Sequence, residues 1–230
     1  PAPRAREAGV DDALLRAVVG LVRRLAEPRE PLEAARLALE SEIRKRLLAE
    51  EQLARSIFAL QDEALHDALT GLYNRRYLDA SLEREESRAR RSGQTMAVIM
   101  IDVDHFKHFN DAFGHAAGDA VLREVGKFIA SLARREDIAA RYGGDEFTLV
   151  LAQTSLDTAL LRARTLGAGA QTLGIEFDGR ALGPVALSVG VAAFPEHGSS
   201  MRQVLEVADA ALRRCKQSGR GGIALAEKSA

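Results

Sequence analysis

The chain has 230 residues, 47% of them hydrophobic and 28% charged, with a formal net charge of −1. That balance fits a globular domain with an extension, and it excludes an overall field that would draw the protein to nucleic acid or an anionic membrane. The single cysteine, Cys215, excludes a disulfide framework and a cysteine-based zinc site within one chain and points to a reducing, cytoplasmic setting.

Residues 1 to 65 carry no strand signal and are dominated by Ala, Leu, Arg and Glu. The basic, alanine-rich start has no apolar h-region, so no signal peptide is expected. Leu14, Leu15, Val18, Val19, Leu21, Val22 and Leu25 predict a short helix, stopped by Pro28 and Pro31 in "EPREP". From Leu32 a helical pattern runs for about thirty residues. Leu53, Ile57, Leu60 and Ala64 step as a coiled-coil seam does, while Leu39, Ile43 and Leu47 upstream step by four and four, so the register slips. A solvated helix packed on its own domain would read in the same way. A dimerising, regulatory stalk over 1–65 is the favoured reading.

From residue 66 onward strands and helices alternate. "TMAVIMIDVD" reads as a buried strand, and "HAAGDAVLREVGKFIASLARR" as a helix with Val121, Leu122, Val125, Phe128, Ile129 and Leu132 on one face. "IAARYGGDEFTLVLA" reads as a hairpin, and "SLDTALLRARTLGAGAQTL" as a helix that Ser155 can cap. "GIEFDG" and "VALSVGVAAFP" are expected to flank a turn at Asp178-Gly179. "SSMRQVLEVADAALRRCKQSG" reads as a helix with a serine start and Gly219 as its stop. The fold class is α/β (α+β), a mixed sheet covered by helices, and no apolar stretch approaches the roughly 20 residues needed to cross a bilayer.

Acidic residues collect at two places. In "DVDHFKHFND", Asp102 and Asp104 lie two apart and share a strand face, with Val103 pointing the other way. Lys107, Asn110 and Asp111 are expected in a following loop, and Asp119 near the start of the next helix. In "RYGGDEF", Gly143 and Gly144 turn the chain, and Asp145 and Glu146 stand side by side. Adjacent carboxylates repel unless a cation or proton lies between them. If the two strands are neighbours, Asp102 meets Asp145 beside a lysine, an oxygen-ligand site of the kind Mg²⁺ prefers when a triphosphate also binds it. Either cluster alone is better read as a solvated loop.

The chain resembles the GGDEF family of diguanylate cyclases over about residues 66 to 228. The resemblance rests on "DALTGLYNRRYL", "IDVDHFKHFNDAFGHAAGDAVL", "RYGGDEF", "SVGVAAFP" and "ADAALRRCKQSGR", in family order and spacing. The short stalk is similar to that of stand-alone soluble members. The resemblance implies a fold like that of nucleotidyl cyclases and polymerase palms, condensing two GTP into cyclic di-GMP with release of two pyrophosphates. By the same resemblance, Asp102, the Val103 carbonyl and Asp145 hold Mg²⁺, with Mn²⁺ as the alternative. Asp145 accepts the proton of the attacking 3′-hydroxyl, with Lys107 and Glu146 assisting. Asn110 and Asp119 read guanine between Leu69 and Leu122, although both leucines are equally well explained as core. Lys107, Lys216, Arg220 and the amides of "DHFKHF" meet the triphosphate.

"RRED", Arg134 to Asp137, fits the family's inhibitory site for cyclic di-GMP, with Arg162 or Arg164 of a neighbouring domain as a bridge. The implied partners are GTP, cyclic di-GMP, a second copy or more of the chain, and an activating protein on the N-terminal helices. No nucleic acid and no membrane insertion are expected. Arg213 and Gly221 depart from the family's usual tyrosine and asparagine, Cys215 is expected to pack, and His115 to buttress its loop. A competing reading is an inactive GGDEF module that binds GTP or cyclic di-GMP and signals by contact, but Gly143, Gly144, Asp145 and Glu146 are all present. A purely structural coiled-coil adaptor would leave "DVDHFKHFND" unexplained.

Overall fold

The computed structural model describes residues 12–26 and 29–227. Contacts divide the chain into two units, 1–60 and 61–230. The first contains α1 (Asp12–Ala26) and most of α2 (Arg29–Leu65). Pro28 lies outside the described residues. Pro31 does not stop a helix, as the sequence pattern suggested; it lies in the first turn of α2, where its missing N–H has no intrahelical partner to lose. Leu14, Val18, Leu21 and Leu25 of α1 are each more than half exposed, as are Leu39, Leu47, Leu53 and Leu60 of α2.

The second unit is built on a six-stranded sheet. After β1 (Tyr73–Asn74) comes α3 (Arg75–Ser92), a helix the sequence pattern did not reveal. Its charge hides a narrow buried stripe of Leu78, Ser81, Leu82 and Ala89. The local signals are its ends. The Asn74 side chain accepts the Tyr77 N–H at 3.0 Å, and Gly93 closes the helix in the left-handed region.

β2 (Met96–Val103) follows, then α4 (Phe106–Phe113) and α5 (His115–Leu132). The expected loop carrying Lys107, Asn110 and Asp111 is therefore a helix. Phe106 and Phe109 pack against the core beneath it, which the short polar segment between them concealed. β3 (Ile138–Gly143) and β4 (Glu146–Leu151) form the expected hairpin, and α6 (Leu156–Ala170) begins at the expected Ser155 cap.

The Asp178-Gly179 turn does not join two strands of the main sheet. It joins β5 (Glu176–Phe177) to β6 (Arg180–Ala181), a separate two-stranded hairpin. β7 (Leu187–Phe194), α7 (Met201–Gln217) and β8 (Ile223–Leu225) complete the chain, with Ser200 capping α7 and the helix ending just before Gly219.

The sheet order is β1-β3-β4-β2-β7-β8. The outer pairs β1/β3 and β7/β8 are parallel, and the inner pairs are antiparallel. β2 is central and wholly buried. Its Ala97, Ile99 and Ile101 pack in one core with α5 and α6, while Val98 and Met100 pack in the other with α3 and α7. The alternation of a strand thus places Asp102 on the α7 side. Gly190 of β7 permits that helix to come close: a Cβ there would meet the Ala208 carbonyl oxygen at 2.1 Å.

Candidate functional site

β2 and β4 are antiparallel neighbours with Asp102 opposite Glu146, and the Val103 N–H donates to the Asp145 carbonyl at 3.2 Å. Asp102 and Asp145 therefore meet at one end of the sheet, from segments far apart in the chain. Asp102 is only 5% exposed. Burial pushes its carboxyl up to about 6, repulsion from Asp145 and Glu146 adds to that, and the Lys216 ammonium at 2.6 Å pulls it down without cancelling it. Among the described residues no three His, Cys, Asp or Glu side chains form a cage for a metal ion. Two carboxylates and a strand-end carbonyl make an incomplete oxygen set with excess negative charge. That set fits a hard cation whose other ligands come from a bound phosphate chain.

The α4–α5 pair forms the adjoining surface. Asn110 Oδ1 is buried with no hydrogen-bond partner, an arrangement that native interiors rarely leave unexplained. It lies against Gly118, where a Cβ would come within 1.8 Å of it, so glycine is required there. Asp119, one residue on, is exposed, as is Lys107. Leu122 is fully buried and Leu69 packs partly buried against the same core. The N-terminus of α4 has no side-chain cap, and His105 before it is left-handed at φ 59, so first-turn amides remain available for an anion.

One element of the site escaped the sequence reading. Arg141 of β3 donates Nε and Nη2 to the Gly144 carbonyl at 3.0 and 2.7 Å, and Nη1 to both Asp67 oxygens at 3.1 Å. Asp67 also accepts the Thr70 N–H and hydroxyl at 2.9 and 2.8 Å. The Asp145 turn is thereby tied to the segment just after α2. Burial alone would raise the Asp67 carboxyl, but the Thr70 hydroxyl and amide and the Arg141 guanidinium outweigh it and hold it below the usual range. The only sequence signal was the Asp-x-x-Thr spacing of a side-chain turn.

At the other end of β3, Arg134 is exposed beside a cleft of about 280 Å³ whose lining includes His66, Tyr73 and Arg135. Asp137, expected in the inhibitory site, is not a free acceptor. Its side chain is fully buried; Oδ2 accepts the Arg134 N–H at 2.8 Å and Arg162 Nη1 at 2.9 Å, and Oδ1 accepts the Ala152 N–H at 3.3 Å. Arg162 also donates to the Leu132 carbonyl. In this structure Arg162 is thus engaged within its own domain rather than held out to a neighbour.

The remaining expected residues are scattered around α7 and α5. Lys216 is engaged with Asp102, while Arg220 stands exposed beyond the helix end. Arg213 pairs with Asp209 at 2.9 Å on the surface, and Cys215 is buried in packing. His115 is exposed at the first position of α5. Among the described residues no helix is long and apolar enough to cross a membrane.

Residues 64–222 match the family described as "Diguanylate cyclase, GGDEF domain". Diguanylate cyclase A of Treponema denticola is 40% identical over 136 residues, 59% of this chain and 36% of that protein. The response regulator PleD of Caulobacter vibrioides is 34% identical over 223 residues, 96% of this chain and 46% of that protein. The chain thus spans less than half the length of either relative. Among solved structures, the coiled coil and GGDEF domain of DgcB from Caulobacter crescentus in complex with c-di-GMP superposes with a TM-score of 0.74 at 31% identity, covering 82% of this chain and 99% of that one. Diguanylate cyclase SiaD of Pseudomonas aeruginosa, in complex with its activator SiaC, gives 0.68 at 35% identity, covering 93% and 89%.

Proposed function

The chain belongs to the GGDEF diguanylate cyclase domain family, and from that premise we propose that it condenses two GTP molecules into cyclic di-GMP, releasing two pyrophosphates. The observation that carries the reading is the convergence of Asp102, Asp145 and Glu146 at one end of the sheet, together with the unpartnered buried oxygen of Asn110 on α4, the helix that follows β2. Acid groups poised for a cation and an amide acceptor poised for a donor are what a purine nucleotide triphosphate requires.

Asn110 and Asp119 recognise guanine, whose N1–H and exocyclic amine are donors that adenine does not offer in that pattern. Leu69 and Leu122 give the base an apolar wall. Lys107, Lys216, Arg220 and the first amides of α4 hold the triphosphate. Asp102, Asp145 and the Val103 carbonyl would hold a divalent cation, Mg²⁺ or Mn²⁺. When bound, that ion neutralises charge on the α-phosphate and eases loss of the 3′-hydroxyl proton. Asp145 accepts that proton, with Glu146 adding negative charge beside it. The Arg141 contact to the Gly144 carbonyl fixes the turn from which Asp145 projects.

Each product molecule needs two GTP, so two copies must face one another across a two-fold axis. The exposed apolar residues of α2 supply a surface for that pairing. SiaD is known with an activator, and an activating protein on the N-terminal helices of this chain would bias the pairing in the same sense. Cyclic di-GMP slows the reaction by binding at the exposed Arg134, whose guanidinium offers phosphate donors and a stacking plane, with Asp137 holding the turn in shape. The test is incubation of the purified protein with GTP and Mg²⁺ and identification of the product by mass. Conversion to cyclic di-GMP supports the reading, and binding of GTP without turnover would replace it with a receptor.

A further inference from the structure

Asp104 stands two residues beyond Asp102, and the sequence pattern grouped the two carboxylates as one acidic cluster. The structure separates them. β2 ends at Val103, and Asp104 lies in the turn before α4, its N–H donating to the Ala186 carbonyl at 3.0 Å. Its Oδ1 accepts the hydroxyl of the fully buried Ser188 at 2.6 Å, and its Oδ2 accepts the Gly221 N–H at 2.8 Å. Both oxygens are therefore in use, and neither contact is made with Asp145 or Glu146.

Gly221 belongs to the turn that follows α7. Gly219, Arg220 and Gly221 have φ of 120, 64 and 63, three successive residues in the positive range. A side-chain-bearing residue such as Arg220 stays there only where its surroundings enforce it. Three bonds do so in series. The Arg220 N–H donates to the Cys215 carbonyl at 3.2 Å, the Gly221 N–H to Asp104, and the Val189 N–H to the Gly222 carbonyl at 2.9 Å. Asp104 supplies the only side chain of the three. The end of β2 and the turn that follows it thus anchor the end of α7 twice, Asp102 through Lys216 and Asp104 through the Arg220–Gly221 turn.

We infer that Asp104 is a positioning residue that holds Arg220 in place for the substrate triphosphate and is not a ligand of the cation. The inference rests on the cyclase reading for its kinetic consequence, but not for the geometry it asserts. Alanine at this position removes the acceptor of the Gly221 N–H together with that of the Ser188 hydroxyl, and Ser188→Ala separates the second loss from the first.

Two measurements on Asp104→Ala test it. In the nucleotide-free, metal-free full chain, limited trypsin digestion reads how well the Arg220–Gly221 bond is held. Cleavage there should accelerate about tenfold relative to wild type, whereas Ser188→Ala, which keeps the Gly221 bond, should cleave at the wild-type rate. In steady-state assays the variant should show a KM for GTP raised about tenfold, with kcat within about threefold and an unchanged Mg²⁺ midpoint at saturating GTP. Adding the change to an Arg220→Ala background should raise KM little further, because the two act on one contact. Unchanged cleavage at Arg220 overturns the inference even if no cyclase activity is found in the wild type. A shifted Mg²⁺ midpoint, or effects of Asp104→Ala and Arg220→Ala that add in full, overturns it as well.

Discussion

Asp102 and Asp137 are aspartates of nearly equal burial, 5% and 7% exposed, near opposite ends of the β2–β4–β3 part of the sheet. Their surroundings are reversed. Asp137 receives two backbone N–H groups and the Arg162 guanidinium, so its charge is matched by donors. Asp102 has one lysine and two facing carboxylates, and its carboxyl is pushed up to about 6. A buried carboxylate with its acceptor positions filled holds a fold together, while one facing other acids is kept ready for a cation. Burial alone does not tell them apart; the donor count does.

The comparison is broken most readily at the deficient end. Asp145→Ala or Asp102→Ala should lower cyclic di-GMP formation by on the order of 10³-fold, about 4 kcal/mol of transition-state stabilisation. The folded state should stay within about 1 kcal/mol of wild type, since neither change strands a buried donor network. Initial rates with a urea melt of each variant check both halves, and a well-folded Asp145→Ala with normal turnover would contradict the role.

Asp137→Ala should behave in the opposite way. It strands two amides and the mostly buried Arg162 guanidinium, and should lower stability by about 3 kcal/mol. The readout is the urea midpoint at constant slope. A loss no larger than that of Asp102→Ala would erase the distinction between the two aspartates.

Asp67 lies between these extremes, paired with Arg141 and Thr70. Because its folded pKa lies below the ordinary 3.8, its contribution is present above that value and is lost as pH falls through the folded pKa. Asp67→Asn should be destabilised by about 1–2 kcal/mol at pH 7, with the gap to wild type closing below about pH 3.8. A gap of constant size across that window would mean the ion pair contributes nothing. The smallest effect on rate is expected at Arg134→Ala, whose initial velocity should stay within about twofold while inhibition by added cyclic di-GMP disappears. Progress curves with added product decide it, and equal product sensitivity in the two proteins rejects the site.

The four long strands β2, β3, β4 and β7, most of the helices and the two acidic segments were legible because period and cap residues are local signals. α3 was not, because its buried stripe is thin within a highly charged helix. α4 reads as a loop in sequence because the packing of Phe106 and Phe109 on the core is not visible in eight residues of mixed polarity. The roles of Asp104 and Asp137 were obscured for a related reason: a carboxylate looks the same in sequence whether or not donors fill it.

By itself the sequence determined a mixed sheet with helices, the paired glycines and acids of the β3–β4 turn, the Asn110 and Asp119 positions, and a helical stretch before them. Tertiary structure alone decided which acids meet, which are satisfied, and what holds the Asp145 turn. The reason is distance along the chain. Asp67 reaches Arg141 across 74 residues and Asp104 reaches Gly221 across 117, so these bonds exist only once the sheet has assembled and α7 has packed on β7.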